Sequence, residues 1–93
     1  MFYVIDAVQP TGVLTLDTLA GISEEEAFDV WEDITLDAHN GFLIDLGHRG
    51  WAALNAGDVI RLCVYSVHDG VVDEGKILYS ETNSARSDRR RTF

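Results

Sequence analysis

Ninety-three residues, a single cysteine and a formal net charge of −9 describe one domain with no intramolecular disulfide and no sign of an oxidising compartment. The 46% hydrophobic content excludes a disordered chain despite that charge. No apolar run approaches the roughly 18 residues of a membrane span, and a strongly acidic body repels anionic lipid and nucleic acid while attracting basic protein surfaces.

The opening MFYVIDAV lacks a basic n-region and a long apolar run, so no secretion signal is expected and a cytoplasmic setting follows. Phe2 to Val8 is rich in aromatic and β-branched residues and predicts a strand. Phe2, Val4 and Val8 fall on one side and Tyr3 and Ile5 on the other, which predicts a central strand covered on both faces. Gln9-Pro10-Thr11-Gly12 has the type I turn pattern. The alternation from Val13 to Thr18, with Leu14 and Leu16 inward, completes a β-hairpin.

Ser23 to Asn40 predicts the main helix. Ser23 followed three residues later by Glu26 is a capping box, and Glu24, Glu25 and Glu26 favour the positive end of the helix dipole. Asn40-Gly41 supplies a left-handed stop. At about 100° per residue, Ala27, Val30, Trp31, Ile34 and Ala38 form one stripe with Phe28 at its margin. Glu25, Glu26, Asp29, Glu32, Asp33 and Asp37 form the opposite side, and no Lys or Arg relieves them. The first basic residue of the chain is Arg49, after ten acidic ones. Like charges four residues apart cost a few tenths of a kcal/mol each. Residues 25 to 37 rise about 18 Å, giving one carboxylate per about 3 Å, close to the roughly 3.4 Å spacing of phosphates along one nucleic-acid strand. That similarity makes the ridge a candidate nucleic-acid mimic.

Phe42 to Leu46 predicts a short strand, and Trp51 to Gly57 one or two helical turns with Trp51 in the core. Val59 to Val67 predicts the longest strand. His68-Asp69-Gly70-Val71 is a hairpin turn, because Asp-Gly between β-branched residues is a strong hairpin signal. A two-residue loop there pairs Val67 with Val72, Tyr65 with Glu74 and Leu62 with Ile77, unless Gly75 forms a bulge and shifts the register. The expected fold is therefore α+β: a mostly antiparallel sheet of about five strands, in the order ββαβ–short α–ββ, with one amphipathic helix on a face. Residues 1–83 form the domain, and residues 84–93 a basic, flexible tail.

The charge is unevenly placed. Residues 1–85 hold fifteen acids against Arg49, Arg61 and Lys76, a balance of −12. Residues 86–93 hold Arg86, Arg89, Arg90 and Arg91 against Asp88, a balance of +3. Direct nucleic-acid contact is expected only through those arginines.

No motif assigns a chemistry. His39, His48 and His68 lack the spacing of a helical zinc site, and there is no cysteine pair, so neither metal nor cofactor is expected. Cys63 lies mid-strand among apolar neighbours, where a thiol is unreactive. Gly47-His48-Arg49-Gly50 is neither a P-loop nor a dinucleotide fingerprint, but its His-Arg pair between two glycines marks His48 and Arg49 as a candidate ligand site. The reading favoured is a small non-enzymatic binding protein. It docks on and blocks a basic, nucleic-acid-binding partner through Glu25, Asp29, Glu32, Asp33 and Asp37, as a phage-encoded counter-defence inhibitor does by analogy. The alternatives are a ligand-binding or enzymatic domain at His48 and Arg49, and an assembly subunit that joins through a strand edge and the basic tail.

Overall fold

The fold follows from two well-specified local signals, a capped helix and a run of hairpins. In the computed structural model, which describes residues 1–85, the first hairpin is strand β1 (Phe2–Gln9) paired with β2 (Gly12–Ala20). Helix α1 (Glu24–His39) follows. Next come β3 (Ile44–Asp45), a 3-10 turn at Gly47–Arg49 and β4 (Trp51–Ala52). The last strands of the described residues are β5 (Val59–Tyr65), β6 (Val67–His68), β7 (Val71–Val72) and β8 (Lys76–Thr82). The main sheet is antiparallel with order β2-β1-β5-β8, and β3-β4 and β6-β7 are separate two-stranded ribbons. The fold is α+β as expected, with four strands in the main sheet rather than about five.

Alternation along the strands sends Tyr3, Ile5 and Ala7 of β1 and Ile60 and Leu62 of β5 toward α1, where all are buried. The helix answers with Ala27, Trp31, Thr35 and Ala38, and the Trp31 indole N–H donates to the Ile60 carbonyl at 3.2 Å. Thr35 is buried without belonging to the apolar stripe because its hydroxyl donates to the Trp31 carbonyl, 2.7 Å away and one turn back.

β1 is a central strand as expected, although among the described residues the opposite face of the sheet carries no helix. The centre of that face is instead closed by Asp6 and Arg61, directly paired across β1 and β5. The guanidinium donates from Nε and Nη2 to the two carboxylate oxygens at 2.8 Å each, a fork geometry that suits arginine. Phe2 and Tyr65 stack beside them, ring centroids 5.3 Å apart. Gly75 makes room for that stack, since a Cβ there would lie 2.3 Å from the Tyr65 ring.

Three further expectations change. Trp51 opens β4 rather than a helical turn, and it is 65% exposed. Its partner across the ribbon is Asp45, so alternation turns Ala52, and not Trp51, inward. Second, the hairpin tip holds its expected register, Val67 with Val72, with Asp69 at φ 50° and Gly70 at φ 78° in a tight left-handed turn. Below the tip the register shifts twice. Val64 faces Lys76 and Cys63 faces Ile77, one residue on from the expected pairing, so the first shift falls in the stretch that holds Gly75. A second, between Leu62 and Cys63, sets Leu62 opposite Tyr79. Third, β3 spans only Ile44–Asp45, so Phe42, Leu43 and Leu46 of the expected strand lie outside it, while the end of the domain is tied down at Asn83. Asn83 is buried, donates its N–H to the Asp58 carbonyl at 2.7 Å and accepts from the Gly57 N–H at 2.9 Å.

Candidate partner-binding surface

The helix that carries the acidic ridge is fixed at both ends by its own sequence. Ser23 Oγ accepts from the Glu26 N–H at 3.1 Å, while the Glu26 carboxylate accepts from the Ser23 N–H at 3.0 Å. The Ser23 backbone N–H, and after it the Ser23 hydroxyl, hold the Glu26 carboxyl below its ordinary pKa, because each favours the ionised form. At the far end Gly41 N–H donates to Ala38 and Phe42 N–H to Asp37, both at 3.0 Å. That pair of bonds is a Schellman closure. With Trp31 anchored in the core, the helix cannot rotate, and its outer side is set.

On that outer side Glu25, Glu26, Asp29, Glu32, Asp33 and Asp37 are all exposed. Among the described residues the ion pairs are Asp6–Arg61, His39–Glu81 and His68–Asp73, and none involves these six carboxylates. The ridge is thus uncompensated over the described chain. Arg86, Arg89, Arg90 and Arg91 lie outside the described residues.

α1 packs chiefly over β1 and β5 and leaves a seam beside β8. Two hollows run along it. One, of about 330 Å³, is lined by Glu24, Glu25, Phe28 and Tyr79. The other, of about 210 Å³, is lined by Trp31, Glu32, Thr35, Leu36, His39 and Glu81. His39 Nε2 meets the Glu81 carboxylate, and its Nδ1 accepts from the Ser84 N–H at 3.2 Å. Carboxylates therefore border the seam from the strand as well as the helix. The outer edge of β8 has no partner strand among the described residues.

His48 and Arg49 sit elsewhere, at the β2 edge. They help line an open depression of about 600 Å³ with Thr15–Thr18 and Asp45–Gly47. Arg49 spends its guanidinium on the β2 backbone, donating from Nη1 to the Thr15 carbonyl at 2.9 Å and from Nη2 to the Leu16 carbonyl at 3.2 Å. This covers the edge beside the irregularity in β1-β2 pairing between Ile5 and Asp6. The depression lies at the sheet edge and not between helix and sheet.

Cys63 is buried, and burial pushes its thiol pKa up, the opposite of an activated nucleophile. Among the described residues no three His, Cys, Asp or Glu side chains converge to hold a metal ion, and no helix is long and apolar enough to cross a membrane. No protein-family model, curated protein or solved structure matches the chain. The sequence located the ridge but missed the seam. Phe28, Tyr79 and Glu81 meet only through the β5-β8 register, which no local pattern encodes.

Proposed function

We propose that this is a small non-enzymatic binding protein, acting in the cytoplasm, whose acidic helix docks on and blocks a basic surface of a partner protein. The partner's surface is one that itself binds nucleic acid, since the carboxylates of α1 repeat at close to phosphate spacing. The single observation that carries the reading is the exposure of all six carboxylates on a capped, core-anchored helix with no described cation against them. A row of like charges on one helix is locally unfavourable, so its retention is accounted for by a partner. By analogy of size and charge, blocking such a site is what a phage-encoded counter-defence inhibitor does.

The test is affinity capture from the native host with the wild-type chain and Asp33→Lys side by side. A basic protein retained by the wild type at about 50 mM salt, released by about 200 mM and lost with Asp33→Lys is the expected result. Capture that ignores both salt and the substitution refutes it. A second reading, assembly through a strand edge, is favoured by the unpaired outer edge of β8 and by Ile77, 52% exposed on that strand. It predicts a mass above the monomer in light scattering, and a monomer at high concentration removes it.

A further inference from the structure

We infer that the hollow lined by Glu24, Glu25, Phe28 and Tyr79 is an arginine-binding site, taking one guanidinium from the basic partner. The inference rests on the docking reading above and gives the ridge an anchor point.

Three rings meet at the N-terminal end of the seam. Tyr79 lies edge-on to Phe28 with centroids 4.8 Å apart, and Trp31 sits 5.6 Å from Tyr79 and 5.5 Å from Phe28. Trp31 is buried and Phe28 half-buried, but Tyr79 remains 39% exposed because α1 is offset from β8. The result is an aromatic floor left uncovered beneath the side chains of Glu24 and Glu25.

The rings and the two carboxylates of this hollow select for the same ligand chemistry, and the carboxylates offset the positive end of the α1 dipole. Ring faces carry negative quadrupole and attract cations. Two carboxylates on adjacent residues repel an anion and reward a donor able to fork between oxygens. An apolar floor disfavours a compact, strongly hydrated ammonium or metal ion. A guanidinium is planar, weakly hydrated and rich in donors, so it stacks on the rings while donating to the acids. A volume of about 330 Å³ suits one such side chain rather than a large ligand. Neither Glu24 nor Glu25 is in an ion pair among the described residues. Glu25 belongs to both the ridge and the hollow, so a partner steered by the row of charges meets the aromatic floor at its end. Arginine and aromatic side chains are the residues that dominate binding energy at interfaces.

The site is tested on the full, 15N-labelled chain by titrating N-acetyl-arginine amide and, in parallel, N-acetyl-lysine amide. Saturable shifts are expected at Glu24, Glu25, Phe28 and the Trp31 indole, with lysine binding at least fivefold more weakly. Tyr79→Leu should weaken arginine binding at least fivefold. Tyr79→Phe, which keeps the ring, should stay within twofold of wild type, as should Thr11→Ala in the exposed β1–β2 turn. Shifts that fail to saturate in the full chain overturn the assignment, whether the hollow has no affinity or the chain's own arginines already fill it. Shifts spread evenly to Asp37, equal for lysine and arginine, or unchanged by Tyr79→Leu overturn it as well. The docking reading is judged separately: partner capture lost with Asp33→Lys but kept with Tyr79→Leu removes the hollow and leaves the ridge. Saturable arginine binding without any captured partner removes the ridge alone.

Discussion

Asp33→Lys should make this protein more stable while making it a poorer binder. Asp33 is exposed and lies four residues from both Asp29 and Asp37 on α1. The substitution removes two like-charge pairs, each costing roughly 0.2–0.5 kcal/mol, and replaces them with two attractive pairs of similar size. The new pair with Asp29 is the better oriented of the two, since there the acid precedes the base. Lysine also has the higher helix propensity, adding a few tenths of a kcal/mol. The sum is about 1–2 kcal/mol at low ionic strength, or about 4–10 °C in Tm for a domain of this size. Asp33→Asn separates the terms, because it lifts the repulsion with little change in propensity and should give less than half the gain. Urea melts at about 20 mM and 500 mM salt measure both, and the gain should shrink at the higher salt. A neutral or destabilising Asp33→Lys at low salt would refute the premise that the ridge is held against its own repulsion.

Other substitutions test the frame that presents the ridge. Asp6→Ala strands Arg61 on the uncovered sheet face. Breaking a buried pair costs roughly 3–5 kcal/mol, reduced to about 2 here because the Arg61 side chain keeps 23% of its exposure; a urea midpoint within error of wild type would contradict the pairing. Gly75→Ala drives a Cβ to 2.3 Å from the Tyr65 ring, so it should cost about 1 kcal/mol as the Phe2–Tyr65 stack parts, with altered near-UV circular dichroism as the check. Ser23→Ala removes the N-cap and should cost about 1 kcal/mol. The same box gives a pH signature. The folded-state pKa of Glu26 is depressed, so its contribution is full above the unfolded carboxylate value near 4.5 and fades as pH falls through the lower folded value. Wild-type stability should therefore fall more steeply with acid than that of Glu26→Gln, which cannot titrate, and parallel curves would count against the box.

What was legible in the chain is what neighbouring residues decide among themselves. Ser23 and Glu26 fix a helix start over three positions, and Asp69-Gly70 fixes a turn by its backbone conformation alone. Position on the helix wheel then set the six carboxylates outward with no tertiary information. What was not legible depends on partners far apart in sequence. Asp6 reads as an interruption of an apolar strand until Arg61, 55 residues on, is placed opposite it. The β5-β8 register shifts twice, once in the stretch 73–75 that includes Gly75 and again between Leu62 and Cys63, where no residue type marks it. The first shift moves Ile77 across from Cys63, and the second sets Tyr79 opposite Leu62, where it meets Phe28 and completes the aromatic floor of the seam. Trp51 failed for a different reason. A two-residue ribbon is too short to show alternation, and its apolar run reads equally well as a helical turn.

The association rate of the wild-type chain with its captured basic partner, followed against ionic strength beside Asp33→Lys, tests the docking claim most directly. An exposed row of charge acts on encounter more than on residence. The wild-type rate should fall about tenfold or more between roughly 20 and 200 mM salt, the variant should start roughly tenfold slower, and dissociation should change little. Equal association rates for the two chains, flat across that salt range, would contradict the claim that the acidic helix is the docking surface.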